Sequence, residues 1–481
     1  MTLDDLKVIL PLVTLACWAT VLLLVDLWIP RNRKGITALL AAFGLALALG
    51  ISLTRTGMTL SAFGGSVVVD GFAVFLDVIF LVSAMGGIAL AYDYLRRMGI
   101  ERGEYYSLLL FATCGMILMT YANDLIIIFL ALEFLSIPLY ILAGFIRLDP
   151  SSEESALKYF LMGAFSSGFV LYGVALIYGA TARTDLPGVM AAVTNGPASM
   201  PLFLVGAVML LVGFGFKSAV VPFHMWAPDV YQGAPSSVTA FMSVGAKAAG
   251  FAALMRVFVE AFPGLSADLT PVLWGLAAVT MVVGNLLAIS QTNLKRLLAY
   301  SSIAQSGYLL MAFVPYGAGD QLSSTVASML FFLVAYSLST LGAWGVVIAL
   351  EKAEGKGLEL ADYAGAGRKY PLLGATMTVF MLSNIGMPLT LGFWGKLYLF
   401  RNAVDAGFIG LALIGLLASV LSAFYYLRVV VMMYMRTGDP EAQRDVWVNL
   451  TAVAAAVATV GLSFIPGTLL NWAYEAVIKL L

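Results

Sequence analysis

Charge, cysteine and histidine are all scarce in this chain. Of its 481 residues, 11% are Asp, Glu, Lys or Arg, against roughly 25% in an ordinary soluble domain. There are two cysteines, Cys17 and Cys114, both inside apolar runs, and a single histidine, His224. So few ligands exclude a disulfide framework and a Cys-rich metal or iron–sulfur site, and leave little room for zinc or haem chemistry. The net charge of −1 offers no basic surface for nucleic acid and no acidic tail. No Gly-rich nucleotide fingerprint sits on a βαβ unit. The acidic start, Asp4 and Asp5, lacks the basic region of a cleavable signal peptide, and a full-length apolar span follows it.

What the chain has instead is apolar surface. Hydrophobic residues make up 61% of it, with a mean hydropathy of +0.95. A soluble core grows only as fast as its surface-to-volume ratio allows, so a water-soluble fold could not hide this much. Lipid is the expected solvent, and an all-α polytopic membrane protein the expected fold class. Segments long enough to cross the hydrocarbon layer are predicted near 9–29, 36–53, 70–94, 105–121, 125–146, 155–179, 201–221, 236–261, 271–290, 298–315, 321–350, 371–400, 407–433 and 447–466, about fourteen in all. Loops after odd-numbered spans carry Arg31, Arg33, Lys34, Arg96, Arg97, Arg102, Arg147, Lys295, Arg296, Lys352, Lys356, Arg368, Lys369, Arg436 and Arg444. The opposite side carries only Lys7, Arg55, Arg183, Arg401 and Lys479. Basic loops stay inside, so both termini are expected outside, which an even number of spans permits.

Six basic residues fall within the predicted spans: Lys158, Lys217, Lys247, Arg256, Lys396 and Arg428. A charge at the middle of a membrane helix costs about 3 kcal/mol on insertion scales. Arg256 and Arg428 lie near span ends and are expected to snorkel to the interface. The four lysines remain, and Glu133 in LIIIFLALEFLSIPLY is the best-buried acid, with Asp77 the only other carboxylate well inside a span. Interhelical ion pairing explains one buried lysine well, but two acids do not suffice for four. Burial disfavours the charged form of a lysine, which lets such groups trade protons near neutral pH, the requirement of a proton relay.

Two of the lysine-bearing spans are interrupted. The seventh reads GFGFKSAVVPFHMWAPDV, where Pro222 cannot donate to the Ser218 carbonyl beside Lys217. The twelfth reads MLSNIGMPLTLGFWGKLYLF, where Pro388 frees the Asn384 carbonyl and Gly386, Gly392 and Gly395 flank the break. Pro138, beside Glu133, reads as an ordinary packing kink. Open backbone at membrane depth survives only where protein or water satisfies it, and paired interruptions mark a transport pathway. Pro222 and Pro388 suggest two copies of a five-span unit, 105–262 and 271–435, running in opposite senses because five is odd. A three-helix segment, 1–104, would precede them, and a helix and tail, 445–481, would follow. The repeat is imperfect: the lysine precedes the proline in one copy and follows it in the other, and Ala299 stands where Glu133 would recur. His224, seven residues past Lys217, would share its face two turns on if the helix continued. It reads equally as a proton carrier or as a donor to the freed carbonyls.

The stretches KSAVVPFHMWAPDVYQGAPSSVTAFMSVGAKAAGF and GNLLAISQTNLKRLLAYSSIAQSGYL closely resemble the antiporter-like membrane subunits of respiratory complex I. The DVYQGAP form resembles the chain N, or subunit 2, type. Chains L and M and the multisubunit cation/proton antiporters usually show an Asp-Ala-His element there. The resemblance covers nearly the whole chain and is most specific over 201–310. It implies that Glu133 pairs with Lys217 and modulates it, that Lys247 is the central relay lysine with His224 between the two, and that Lys396 is the terminal lysine of the second half-channel. Lys158 would be a further, less essential lysine; Lys295 would either belong to the second half-channel or be a cytoplasmic loop charge, the latter being the favoured reading. Protons would enter from the cytoplasmic side near the eighth span and pass from Lys247 and Lys217 towards Lys396, with opening of the Glu133–Lys217 pair as the switch.

The resemblance also implies a multisubunit NADH-quinone oxidoreductase, and the lack of a targeting segment points to a bacterial plasma membrane, although an organelle-encoded copy would look much the same. FMN, iron–sulfur clusters and the quinone would belong to partner subunits, and this chain would bind no cofactor and meet only those partners and lipid. Two rivals remain: a subunit of an Mrp-type cation/proton antiporter, and a non-conducting structural subunit whose buried lysines persist as packing.

Overall fold

The structure, a computed structural model, describes residues 3–30, 33–317, 321–352, 357–443 and 445–477. The loop charges Arg31, Lys356, Arg444 and Lys479 lie outside the described residues. The chain runs through α1 (Leu3–Val8), α2 (Leu10–Val25), α3 (Gly35–Leu53), a hairpin of β1 (Leu60–Ala62) and β2 (Val67–Val69), then α4 (Gly71–Arg97), α5 (Glu104–Tyr121) and α6 (Leu125–Ala143). It continues through α7 (Pro150–Thr181), α8 (Leu186–Thr194), α9 (Met200–Lys217), α10 (Trp226–Gly233), α11 (Ser236–Glu260), α12 (Ser266–Ile289) and α13 (Leu294–Phe313). The last part holds α14 (Leu322–Leu350), α15 (Ala366–Lys369), α16 (Pro371–Ile385), α17 (Leu391–Asp405), α18 (Ile409–Met435), α19 (Val446–Gly461) and α20 (Pro466–Glu475).

Among the described residues, 11 helices are long and apolar enough to cross a membrane. The other predicted spans fall on α5 and α13, which are more polar, and on the α16–α17 pair, which is broken. Short acidic or amide side chains start many of these helices by accepting from the first free N–H groups: Asp70 from Ala73, Asp124 from Ile126, Asp149 from Ser152 and Asn293 from Arg296.

Helices α11 and α14 form the centre. Both are buried along nearly their whole length, whereas α2, α3, α18 and α19 turn Leu23, Phe43, Leu417, Val420 and Val457 outwards, the signature of a lipid-facing wall. Small residues let backbones close up where lipid supplies no hydrophobic drive. A Cβ on Gly284 of α12 would stand 2.7 Å from the Ala304 amide, and one on Gly307 of α13 2.6 Å from that of Met281.

One local pattern occurs twice. Leu125 N donates to Thr184 O while Leu186 N donates to Asn123 O, fastening the start of α6 to the chain before α8. Leu294 N likewise donates to Leu358 O and Leu360 N to Thr292 O, at the start of α13. The hairpin, in register Leu60↔Val69, joins the first of these through the Val67↔Ala122 bridge.

Candidate functional site

Both interrupted helices stop short of their prolines. Helix α9 ends at Lys217, and the turn closes with Ala219 N donating to Phe216 O and Val220 N to Gly215 O, around Ala219 at φ +55°. Helix α16 ends at Ile385 with Gly386 N on Ser383 O and Met387 N on Leu382 O, around Gly386 at φ +92°. These are matching Schellman closures. Pro222 and Pro388 therefore lie in the connecting segments beyond the caps, and both helices are interrupted as the sequence suggests. Glycine suits the left-handed position in α16; Ala219 occupies it in α9 at a cost of about 1–2 kcal/mol.

The carbonyls left open are taken by side chains. Ser306 Oγ donates to Ser218 O at 2.6 Å. Gln305 Nε2 donates to Asn384 O at 3.2 Å. Ile385 O receives Lys396 Nζ at 3.0 Å and Ser419 Oγ at 2.9 Å. Lys217 occupies the last turn of α9, and Lys396 donates to the last residue of α16. The Lys396 ammonium thus meets the negative end of a half-helix, and Lys217 is carried on the last turn of the other.

The three lysines share one kind of surrounding. Lys217 is 2% exposed, donates to Ser136 Oγ at 2.8 Å and Tyr159 OH at 3.2 Å, and lies 5.3 Å from the Tyr159 ring centre. Lys247, also 2% exposed, donates to both the carbonyl and the hydroxyl of Ser302 and lies 5.2 Å from the Tyr336 ring centre. Lys396, 4% exposed, donates to Ser419 Oγ at 3.0 Å and lies 4.4 Å from the Tyr308 ring centre. Each has a serine hydroxyl and a tyrosine face, and none has a carboxylate in ion-pair reach among the described residues. Hydrogen bonds from a charged donor contribute about 1.5–3 kcal/mol each. A cation over an aromatic ring adds roughly 0.5–2 kcal/mol. Together these offset the burial of one ammonium.

Several expectations are corrected. Glu133 does not touch Lys217: its Oε1 is buried without a hydrogen-bond partner, and Ser136, one turn along α6, holds the ammonium instead. Lys158 is 40% exposed and pairs with Glu154 at 2.5 Å and Asp229 at 2.7 Å, so it belongs to a surface ion network that includes Arg296. The acids missing from the sequence count were Glu154 and Asp229, just beyond the apolar run. Arg256 does not snorkel: it is 1% exposed and binds Asp70, Glu260 and the Thr120 carbonyl. Arg428 ties α18 to the end of α12 through Ile289 O and Gln291 O. Lys295 is no loop charge; it is buried and donates to Ala234 O at 2.8 Å. His224 sits in the connecting turn, where α9 no longer continues. No hydrogen bond joins it to Lys217 or Lys247 among the described residues, and its Nδ1 is buried without a partner.

Sequence reading missed the serine and tyrosine partners. Ser302, Gln305 and Ser306 in LAYSSIAQSGYLL were the available signal, polar residues at helical spacing inside a span. No cluster of three or more His, Cys, Asp or Glu side chains that could hold a metal occurs among the described residues.

The family described as NADH:quinone oxidoreductase/Mrp antiporter, transmembrane, matches residues 122–422, which contain all three lysines and both breaks. The chain belongs to this family. Its full-length relatives include the NADH-quinone oxidoreductase subunit N of Trichlorobacter lovleyi, 46% identical over 480 residues, with 98% of this chain and 97% of that one covered. Subunit N of Chloroflexus aggregans is 45% identical, with 96% and 95% covered. Among solved structures, a chain of respiratory complex I from Thermus thermophilus is 37% identical at a TM-score of 0.83, with 96% and 98% covered. A chain of the Mrp complex of a Dietzia species shares the fold at a TM-score of 0.87 but only 21% of the sequence, with 100% and 98% covered.

Proposed function

We propose that the chain is the N-type, proton-translocating membrane subunit of an NADH-quinone oxidoreductase. In this reading it is a translocase component without a redox centre. Electron transfer through FMN and iron–sulfur clusters to quinone takes place in partner subunits, and proton movement here is driven by them. The full-length relatives named subunit N support the assembly. The observation that carries the chemistry is that three of the buried lysines, Lys217, Lys247 and Lys396, each meet a serine hydroxyl and a tyrosine ring, two of them at half-helix ends.

The segments 105–262 and 271–435 act as paired half-channels; the repeated backbone pattern at Leu125 and Leu294 and the matching closures at Ala219 and Gly386 support that division. Glu133 tunes Lys217 from a distance, and movement of α6 that brings it into contact would be the switch. His224 exchanges protons at the connecting turn only if that turn rearranges. Both termini face outside, as the excess of basic residues on the loops after odd-numbered spans suggests. The membrane is the bacterial plasma membrane.

Each proton moved against the potential requires about 2.3 kcal/mol per 100 mV. The test is Lys217→Met and Lys396→Met in the assembled complex, with protons pumped per NADH oxidised measured in sealed vesicles. Loss of pumping per electron pair is expected. An unchanged ratio in both variants would refute the relay.

A further inference from the structure

Helix α13 touches both breaks. Ser306 and Gln305 are consecutive, so they point about 100° apart around the helix, and each caps a carbonyl at a different interruption. Ser306 Oγ holds Ser218 O, beside Lys217. Gln305 Nε2 holds Asn384 O, one residue before the carbonyl that binds Lys396. One turn earlier, Ser302 receives Lys247 through both its carbonyl and its hydroxyl. Ser306 Oγ also lies 3.3 Å from that same Ser302 carbonyl. Three residues of a single helical turn and a half therefore meet the surroundings of all three lysines.

We infer that α13 is a clamp that fastens the two helix breaks to each other, with Gln305 and Ser306 as positioning residues that carry a change at one break to the other. The inference rests on the relay reading of Lys217, Lys247 and Lys396, and adds to it a mechanical link between the half-channels.

Three features support a built link rather than incidental packing. First, both side chains are almost wholly buried, Gln305 at 2% and Ser306 at 0% exposure. Inside a membrane a polar side chain is retained where it satisfies something, and here each satisfies a carbonyl that an intact helix would have paired internally. Second, Gln305 is held from two sides: its Nε2 also donates to Tyr426 OH at 3.2 Å, and that hydroxyl bonds Ser301 of α13. Helix α18 thereby joins the same turn. Gln305 Oε1 stays buried and unpartnered among the described residues, so the carboxamide is placed for its donor contacts. Third, α13 has no slack against α12. The backbone approaches at Gly284 and Gly307 leave no space for a methyl group, so a shift of the Ser306 end is felt at Gln305.

The experiment uses the whole complex in sealed membrane vesicles, with protons pumped per NADH oxidised measured across pH for Ser306→Ala, Gln305→Met and the double variant. Gln305→Met keeps length and volume but loses the donor; Ser306→Ala loses one hydroxyl. Each single variant is expected to lower the pumping ratio roughly tenfold, the factor one buried hydrogen bond is worth. The double variant is expected to lose no more than either single, because cutting a link at one end or both has the same result. Ser306→Thr restores the hydroxyl and should restore the ratio. Losses that multiply in the double variant, or ratios equal to wild type, overturn the clamp. If a variant fails to assemble, Gln305→Glu, which keeps shape but as a carboxylate only accepts, and Ser306→Cys, which keeps shape with a weaker donor, supply the same comparison. Lys217→Met and Lys396→Met in parallel separate the two readings: normal pumping in both sinks the relay, whereas abolished pumping beside unaffected Gln305 and Ser306 variants sinks the clamp alone.

Discussion

Gly250 is the position where a single methyl group tests the geometry of the first break. It lies on α11, three residues beyond Lys247, and faces the end of α9. A Cβ there would stand 2.8 Å from Ser218 Oγ, 3.2 Å from Lys217 Cβ and 3.3 Å from the Lys217 carbonyl carbon. Ordinary carbon contacts need about 3.5–4.0 Å, so Gly250→Ala must push the end of α9 away by several tenths of an ångström. Overpacking of this kind costs about 1–3 kcal/mol. Replacing a helical glycine by alanine returns roughly 1 kcal/mol through propensity alone. The matched control is Gly275→Ala on α12, where nothing lies within 4 Å and only the favourable part applies. The displaced atoms are those that present Lys217 to Ser136 and Ser218 O to Ser306, so the loss should appear in pumping as well as in stability. The assay is retention of the subunit in the complex on heating in mild detergent, together with protons pumped per NADH oxidised. Gly275→Ala should match or exceed wild type in both, and Gly250→Ala should fall below it in both. Gly250→Ala indistinguishable from Gly275→Ala would show that α11 does not bear on the break.

Further outcomes follow from the corrected partners. Lys158→Met removes ion pairs to side chains 64% and 32% exposed, worth about 0.2–1 kcal/mol; pumping should stay near wild type, and a loss as deep as that of Lys217→Met would return Lys158 to the relay. Arg256→Met strands Asp70 and Glu260, both with side chains 13% exposed, at about 3–5 kcal/mol; heat retention should drop and recover in part with Asp70→Asn, and wild-type retention would disprove the buried clasp. Ser136→Ala removes the 2.8 Å acceptor of Lys217, about 1.5–3 kcal/mol for a charged donor; turnover-linked pumping should fall at least several-fold and return with Ser136→Thr, whereas an unaffected ratio would leave Ser136 as packing.

The architecture was legible because length and apolarity decide it. Each predicted span coincides with a helix, or with the broken α16–α17 pair, since a backbone in lipid has few other ways to satisfy itself. The buried positions of Lys217, Lys247 and Lys396 could likewise be read from the apolar runs around them. Their partners could not. Lys158 looked like the others in a hydropathy window, yet Glu154 is its neighbour one turn earlier and Asp229 arrives on α10, a short helix that no periodicity announced. Arg256 looked free to snorkel because Asp70 is 186 residues away in sequence and reaches it only through the fold. The breaks were visible, but the prolines drew attention from the residues that end the helices, Ala219 and Gly386.

The difference between the lysines that kept a carboxylate and those that did not is itself informative. A carboxylate accepts hydrogen bonds and offers none, so it suits an ammonium and abandons a neutral amine. Lys158, Arg256 and Arg296 are held this way. A serine hydroxyl accepts from an ammonium and, turned about its own bond, donates to the amine that remains when the proton leaves. Ser136, Ser302 and Ser419 can each do both for Lys217, Lys247 and Lys396. The tyrosine faces favour the cation without compelling it, at roughly 0.5–2 kcal/mol. A site that must hold and release a proton in turn needs two states of similar energy, and neutral, reversible partners supply that where an ion pair would not. In the proposed relay, Glu133, one turn from Ser136, is the carboxylate that would tip the balance at Lys217 while leaving the other two lysines to follow.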